Sequence, residues 1–407
     1  MSAATISIAQ SSSGPLKNPM FRLLWIGSTI SLIGDQFYLV ALPWLILQLT
    51  GSGVALGAIL MSAAIPRAVL MLMGGAVTDR TSPRKIMIST ASARTVFVGA
   101  IAALVYSQTI HLWHLYLLAI GFGIADAFYL PAASAFLPTI VERDQLVAAN
   151  SALQSRTLIT SIAGPTPAAF ILKALGAAWA FLLDAVSFLF VIGALWKLPD
   201  PPKSQTAAKP GLWNSIAEGL KYVNGDAALR SLMLLTAVLN FCMSGPITVG
   251  LAYLTKQKFA SPTSYAICIS AVAGGLLVGT LIAGMFAKHS RGPLLLWVSA
   301  VLGVCTMTIG VLHHLWLIVA TLFTMGVSSG LVSVHINAWF QQRVDRTKLG
   351  RVASVAMFAS IGLMPISLAL AGVLVQWSVV LMFVLSGAAV VLVTSLAAIQ
   401  RTVREIQ

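Results

Sequence analysis

The sequence predicts an all-α integral membrane protein: twelve transmembrane helices in two six-helix, pseudo-symmetric bundles, with both termini cytoplasmic. Three observations predict it. Apolar runs long enough to cross a bilayer fill nearly all of the 407 residues, of which only 9% are charged. The widest polar break falls midway, near residues 197–227. Lysine and arginine collect in alternate breaks between the runs.

A spanning helix needs roughly 20 mostly apolar residues, because hydrocarbon offers no partner to an open backbone group. Runs of that kind predict spans at 22–49, 54–78, 86–107, 112–137, 146–172 and 178–196. Six more follow at 228–254, 264–287, 293–312, 315–340, 351–375 and 377–400. The chain divides into a flexible tail over 1–20, a first bundle over 21–197, a linker over 198–227, a second bundle over 228–400 and a tail over 401–407. The first tail is serine-rich and lacks the apolar core of a cleavable leader. The linker opens on Leu198-Pro199-Asp200-Pro201-Pro202. Leu212, Ile216, Leu220 and Val223 then recur at helical spacing, which predicts a short amphipathic helix lying on the membrane surface. A plain solvated linker is the alternative.

Basic residues accumulate in short cytoplasmic loops, and this orients the chain. With both ends inside, the cytoplasmic segments hold 19 of the 25 basic residues, Arg80, Arg84, Lys85, Arg343 and Lys348 among them. The outer loops hold three, Lys173, Lys256 and Lys258. The net charge of +14 is therefore a signal of topology and of anionic lipid, with no nucleic-acid partner implied. Cys242, Cys268 and Cys305 fall within spans without metal-ligand spacing, so no metal and no cofactor is expected.

The halves repeat one another weakly. Gly75-Ala76-Val77-Thr78-Asp79-Arg80 after the second span has a counterpart in Gly284-Met285-Phe286-Ala287-Lys288-His289 after the eighth. Gly164-Pro165 in the fifth span is echoed by Gly362 to Pro365 in the eleventh. Two related six-helix halves point to a transporter with its site at their interface.

Gly75-x-x-x-Asp79-Arg80-x-x-x-Arg84-Lys85, between the second and third spans, resembles the signature loop of the major facilitator superfamily. Asn18-Pro19-Met20-Phe21-Arg22, Leu49-Thr50-Gly51-Ser52, Ala148-Ala149-Asn150-Ser151 and Phe181-Leu182-Leu183-Asp184-Ala185-Val186-Ser187-Phe188 are similar to its bacterial drug and siderophore exporter branch. The resemblance implies a multi-pass protein of the bacterial inner membrane, a proton-coupled antiporter that acts as a monomer. It implies that Gly75, Asp79, Arg80 and Arg84 form a gating loop that latches the cytoplasmic side, with Asp79 at its centre. Gly164-Pro165 matches an antiporter-type helix kink, although Thr166-Pro167-Ala168-Ala169 stands where further glycines are expected. A kink without bearing on transport direction remains the alternative.

Ionisable groups inside a bilayer are costly and therefore functional candidates. Six fall within spans: Asp35, Arg67, Arg94, Asp126, Arg156 and Asp184. Asp35, Asp126 and Arg156 lie at similar depth and are the expected proton-coupling set, since an arginine that approaches or leaves a carboxylate changes its hold on a proton. Arg67 and Arg94 are expected to brace helices, and Asp184 to serve as a hydrogen-bonding group near the outer surface. In the second half Asn240, His335 and Asn337 are candidates for substrate contact, with Tyr38 and Tyr129 as aromatic walls; a packed core histidine is the alternative for His335.

The expected function is export of a hydrophobic or amphipathic small molecule, a drug or metallophore, in exchange for protons. The partners are that substrate, protons and membrane lipids. A facilitator or symporter for a nutrient or lipid is the competing reading. No phosphate-binding loop and no Ser/His, Asp/Asp or His/Glu set at catalytic spacing supports an enzyme.

Overall fold

The computed structural model describes residues 14–200, 212–286, 291–345, 348, 352, 355, 356 and 361–400. Its helices are α1 (Pro19–Thr50), α2 (Gly53–Arg80), α3 (Pro83–Tyr106), α4 (Leu112–Ile140), α5 (Leu146–Ala163), α6 (Pro165–Leu175) and α7 (Ala177–Trp196). The linker helix α8 (Leu212–Gly225) follows. The second half holds α9 (Ala227–Gly245), α10 (Leu251–Phe259), α11 (Pro262–Ile282), α12 (Arg291–Val311), α13 (Leu315–Arg343), α14 (Met364–Trp377) and α15 (Val379–Ile399).

Ten of the helices among the described residues are long and apolar enough to cross a membrane, or eleven when α5 and α6 count as one span bent by 40°. Twelve are expected from the sequence. The remaining expected span, 351–375, falls partly outside the described residues, and the part described as α14 has 14 residues. A five-residue π-helical turn, Pro246–Gly250, joins α9 to α10 within the seventh expected span.

Short sequence signals set the helix ends. Asn18 caps α1, its side chain accepting from the Met20 (2.9 Å) and Phe21 (3.4 Å) N–H groups, and its amide donates to the Ile140 carbonyl at 2.8 Å. Pro19 follows at the first helical position, where a missing N–H costs nothing. Gly51 ends α1 at φ 63°, a left-handed conformation favoured by glycine, and Ser52 at once caps α2. Leu49-Thr50-Gly51-Ser52 is thus a C-terminal cap and an N-terminal cap fused into one hairpin turn.

Within the first half α1 packs on α7, α7 on α3, and α2 on α4; within the second, α11 packs on α13 and α12 on α15. Gly275 and Gly279 of α11 and Gly326 and Gly330 of α13 form the α11–α13 seam, where backbone meets backbone. In lipid, helices associate by such close packing because burial from water contributes nothing there.

The halves meet through α2 against α14 and through α5 and α6 against α11. At the α2–α14 contact the Gly53 N–H donates to Gln376 Oε1 at 3.2 Å, and a Cβ on Gly57 would lie 3.0 Å from the Gly372 Cα. These residues form the first turns of α2 and the last of α14, the end remote from residues 14 and 400. At the opposite end α5 exposes Asn150, Ser151, Gln154, Ser155 and Thr157. So polar a surface inside a bilayer-spanning bundle is tolerated where it lines a water-filled opening.

The linker helix docks on the second half at that opposite end. Asp226 caps α9 by accepting from the Ala228 and Leu229 N–H groups, and Arg343 at the end of α13 donates to its carboxylate at 2.8 Å. Burial pushes the Asp226 pKa upward, but the Arg343 hydrogen bond and the two backbone donors outweigh it and hold the carboxyl below the usual range. A lowered folded-state pKa gives stability that is present above the unfolded value, about 3.9, and lost as pH falls through the folded value. Asp226→Ala is therefore expected to cost about 1 kcal/mol of stability at neutral pH, chiefly through the lost cap. Thermal unfolding in detergent at neutral pH and at about pH 3 checks this, with the wild-type advantage narrowing at the acid end.

Candidate functional site

Five of the six intramembrane ionisable groups gather between α1, α2, α3, α4 and α7. Asp126 of α4 receives two arginines: Arg67 of α2, its Nη1 3.0 Å from Oδ2, and Arg94 of α3, whose Nη2 pairs with Oδ1. Arg94 is buried and Asp126 nearly so. The Arg94 guanidinium also lies over three rings, 5.0 Å from the Phe122 centroid, 4.8 Å from Tyr129 and 5.8 Å from Phe188. Tyr38 of α1 stacks on Phe122 with centroids 4.7 Å apart. A guanidinium suits such a place, because it is weakly hydrated, forks onto a carboxylate and stacks on aromatic faces.

Arg156 forms no ion pair with these acids among the described residues. It donates to the Trp25 carbonyl (3.4 Å) and to the Ser28 hydroxyl, both on α1. Ser28 lies two turns, about 10 Å, before Asp35 on the same helix. The expected convergence of Asp35, Asp126 and Arg156 is therefore replaced by a different grouping: Asp126 with Arg67 and Arg94, and Arg156 with α1. Arg67 and Arg94, expected as helix braces, are the direct partners of Asp126.

Asp184 also differs from expectation. It is 0% exposed, and neither of its carboxylate oxygens has a hydrogen-bond partner among the described residues. It sits on α7 against Gly34 of α1, where a Cβ would come within 2.8 Å of its Oδ1 and would collide with the Ser187 hydroxyl. Asp35, the residue after Gly34, is half-buried on the same helix. Counting Asp184 from the start of its span gave a shallow group. The close approach of α1 to α7 that buries it is a tertiary contact, and only Gly34 hints at it in sequence.

The bend between α5 and α6 falls at Gly164-Pro165. Pro165 and Pro167 cannot donate to the preceding turn, and a Cβ on Gly164 would lie 2.9 Å from the Gln36 Cβ of α1, one residue past Asp35. The kink thus abuts the segment of α1 that carries Asp35 and packs on Asp184 of α7.

The gating-loop side chains of Gly75, Asp79 and Arg80 lie outside the described residues, although the α2 backbone runs through them. Arg84 donates its Nε to the Leu195 carbonyl at 2.7 Å and an Nη to the Trp196 carbonyl at 2.9 Å, closing the end of α7. Ser82 and Lys85 reach Asp200, Lys85 at 3.7 Å.

A cavity of about 570 Å³ opens in the second half between α9, α11, α12 and α13. Its walls are mainly Leu, Met, Val, Ile and Phe side chains, with Thr236, Asn240, Ser329, Ser333 and Asn337 as polar points. The Asn240 and Asn337 amides each donate one turn back along their own helix, to the Thr236 and Ser333 carbonyls, which leaves their side-chain oxygens for a ligand. A mainly apolar pocket with a few fixed hydrogen-bonding groups is the usual form of a site for a drug-sized molecule. His335 is buried and does not line it. Tyr38 and Tyr129 belong to the arginine cluster of the first half.

Ten or more membrane-spanning helices, a buried charge cluster in the first half and an apolar cavity in the second are the features of a polytopic transporter of the major facilitator type. The fold agrees with solved transporters across almost the whole chain. It superposes on the nucleoside transporter NupG with a TM-score of 0.76 at 12% identity, covering 93% of this chain and 99% of that one. A bacterial homologue of the iron transporter ferroportin, in its inward-facing state, gives 0.73 at 15% identity, covering 95% and 99%. The chain belongs to the transmembrane secretion effector family, whose sequence profile matches residues 10–407. Macrolide efflux protein A of Streptococcus pyogenes is 26% identical, over 86% of this chain and 88% of its own length. The multidrug efflux pump Tap of Mycobacterium tuberculosis is 25% identical, over 88% and 87%.

Breaking one partner of a buried ion pair costs about 3–5 kcal/mol, because the remaining charge is stranded. Asp126→Asn, which strands the buried Arg94, is expected to destabilise the protein strongly, and Arg94→Gln less, because Arg67 still holds Asp126; the double variant recovers at least about 1 kcal/mol relative to additivity. Thermal unfolding of the three variants in detergent reads the coupling; strict additivity contradicts the pairing.

Proposed function

We propose that this protein exports hydrophobic or amphipathic small molecules, macrolide-like drugs among them, across a bacterial inner membrane in exchange for protons by alternating access. The observation that carries this reading is the separation of two sites in one fold. Charged groups that can trade protons and partners occupy the first half, and an apolar cavity with neutral hydrogen-bonding groups occupies the second. The names of the similar efflux proteins support the direction and the substrate class. The 19 to 3 bias of basic residues supports cytoplasmic termini, so the described conformation opens inward, with α2 and α14 closing the outer end.

In this reading a drug enters the second-half cavity from the cytoplasm or inner leaflet and contacts Asn240 and Asn337. Rocking of the halves about the α2–α14 and α5/α6–α11 contacts then exposes it outside. The bend at Gly164 lets α5 and α6 move by different amounts. A proton taken up outside on the Asp35 side of the first half returns inward as Arg94 and Arg156 shift relative to α1. One charge falling through 100 mV supplies about 2.3 kcal/mol, enough for roughly 50-fold accumulation. No nucleotide is needed, and the protein acts as a monomer.

Cells producing the protein are expected to accumulate several-fold less erythromycin than control cells, and a protonophore should abolish the difference. Asn240→Ala and Asn337→Ala should each weaken drug binding about fivefold, the value of one hydrogen bond of about 1 kcal/mol. Efflux that persists unchanged in the presence of the protonophore contradicts exchange with protons and favours a facilitator.

A further inference from the structure

We propose that Asp184 binds a proton carried in the transport cycle, with Asp35 as its exchange partner toward the cavity and Arg94 as the group that displaces it. This rests on the proton-exchange reading above and deepens it. Asp184 stands out by geometry.

Asp184 is completely enclosed; its oxygens have no well-formed hydrogen bond among the described residues, and the Ser187 hydroxyl beside them donates to the Asp184 main-chain carbonyl at 2.7 Å. A bare carboxylate so placed is costly, and an unpaired buried ion is tolerated only by neutralising itself. The neutral acid fits the site and the anion does not, as long as Arg94 is held by Asp126. Packing a sequestered acid at this point is otherwise unhelpful, since an apolar residue of similar size fills the space without penalty.

The neighbourhood supplies a route and a trigger. The groups acting on Asp184 are Asp35 and Tyr38 from α1, Arg94 from α3 and Ser187 from its own helix. Asp35 is less enclosed than Asp184 and next in the chain to Gly34, whose missing side chain brings α1 against the Asp184 carboxyl. Arg94 already reaches α7, with its guanidinium 5.8 Å from the Phe188 ring, one helical turn beyond Asp184. If Arg94 leaves Asp126 for Asp184, Arg67 still pairs with Asp126. The Asp184 O–H bond then breaks, and its proton passes to the Asp35 carboxylate or to water in the inward cavity. The resulting Asp184 carboxylate is neutralised by the arriving guanidinium, and the reverse movement reloads it.

The test uses the full-length protein in lipid. Infrared difference spectra between about pH 5 and about pH 9 are recorded for wild type, Asp184→Asn, Asp184→Glu and Asp35→Asn. Erythromycin transport is followed in proteoliposomes both as gradient-free counterflow and as accumulation driven by a pH step. The expected result is a protonated-carboxyl band that is lost in Asp184→Asn and shifted in Asp184→Glu. Asp184→Asn should keep counterflow but lose the roughly tenfold drive that one pH unit gives per proton. A band unchanged by both Asp184 variants, or an Asp184→Asn protein that still accumulates drug from a pH step, overturns the proposal. If Asp184→Asn has no counterflow, the band in Asp184→Glu decides: shifted supports the assignment, unshifted overturns it. Wild-type protein that exchanges drug but ignores the pH step removes the proton-exchange reading itself, and the coupling role of Asp184 with it.

Discussion

Charge inside hydrocarbon must be matched, and the ion cluster formed by Arg67, Asp126 and Arg94 is how the first half matches it. Three helices, α2, α3 and α4, are tied to one carboxylate, and the aromatic rings of Phe122, Tyr129 and Phe188 cover the guanidinium that is most deeply placed. The same arrangement constrains what else can happen nearby. While Asp126 holds Arg94, the acids at Asp35 and Asp184 have no ion-pair partner among the described residues. Separating α3 from α4 would break the Arg94–Asp126 pair and leave the buried guanidinium in need of another partner.

The second half has a different character. Its cavity offers amide and hydroxyl groups among leucine, methionine and phenylalanine, and its tight places are glycine seams. The two halves differ in chemistry, one presenting a cluster of charged groups and the other a mainly apolar cavity. Between them runs α1, which carries Asp35 and touches α5, α6, α10 and α11. The 40° bend at Gly164 lies beside Gln36, the residue after Asp35.

Local signals in the sequence read well. Asn18-Pro19, Thr50-Gly51-Ser52 and Ser82-Pro83 mark helix ends because caps and φ restrictions act within a few residues, and Gly164-Pro165 marks the break in the fifth span for the same reason. Pairing between distant groups did not read. Depth along a helix placed Asp35, Asp126 and Arg156 together, but rotation about the helix axis and the choice of neighbouring helix decide contact, and neither is encoded locally. Asp126 found Arg67 and Arg94 across two other helices, and Arg156 found Ser28. The burial of Asp184 comes from α1 closing over it at Gly34, a contact between distant segments that only the glycine hints at. The substrate candidates divided likewise: Asn240 and Asn337 face the cavity, while His335, two residues before Asn337, turns into the core.

Proton movement on drug binding tests the account most directly. Purified protein in weakly buffered detergent, with an indicator dye, is mixed with erythromycin at a series of pH values near neutrality. The account predicts that binding releases protons from the wild-type protein, and that the release disappears when the buried acids of the first half are replaced while the drug still binds. Saturable erythromycin binding without proton movement at any pH would contradict it, leaving a carrier that moves its substrate only down the substrate's own gradient.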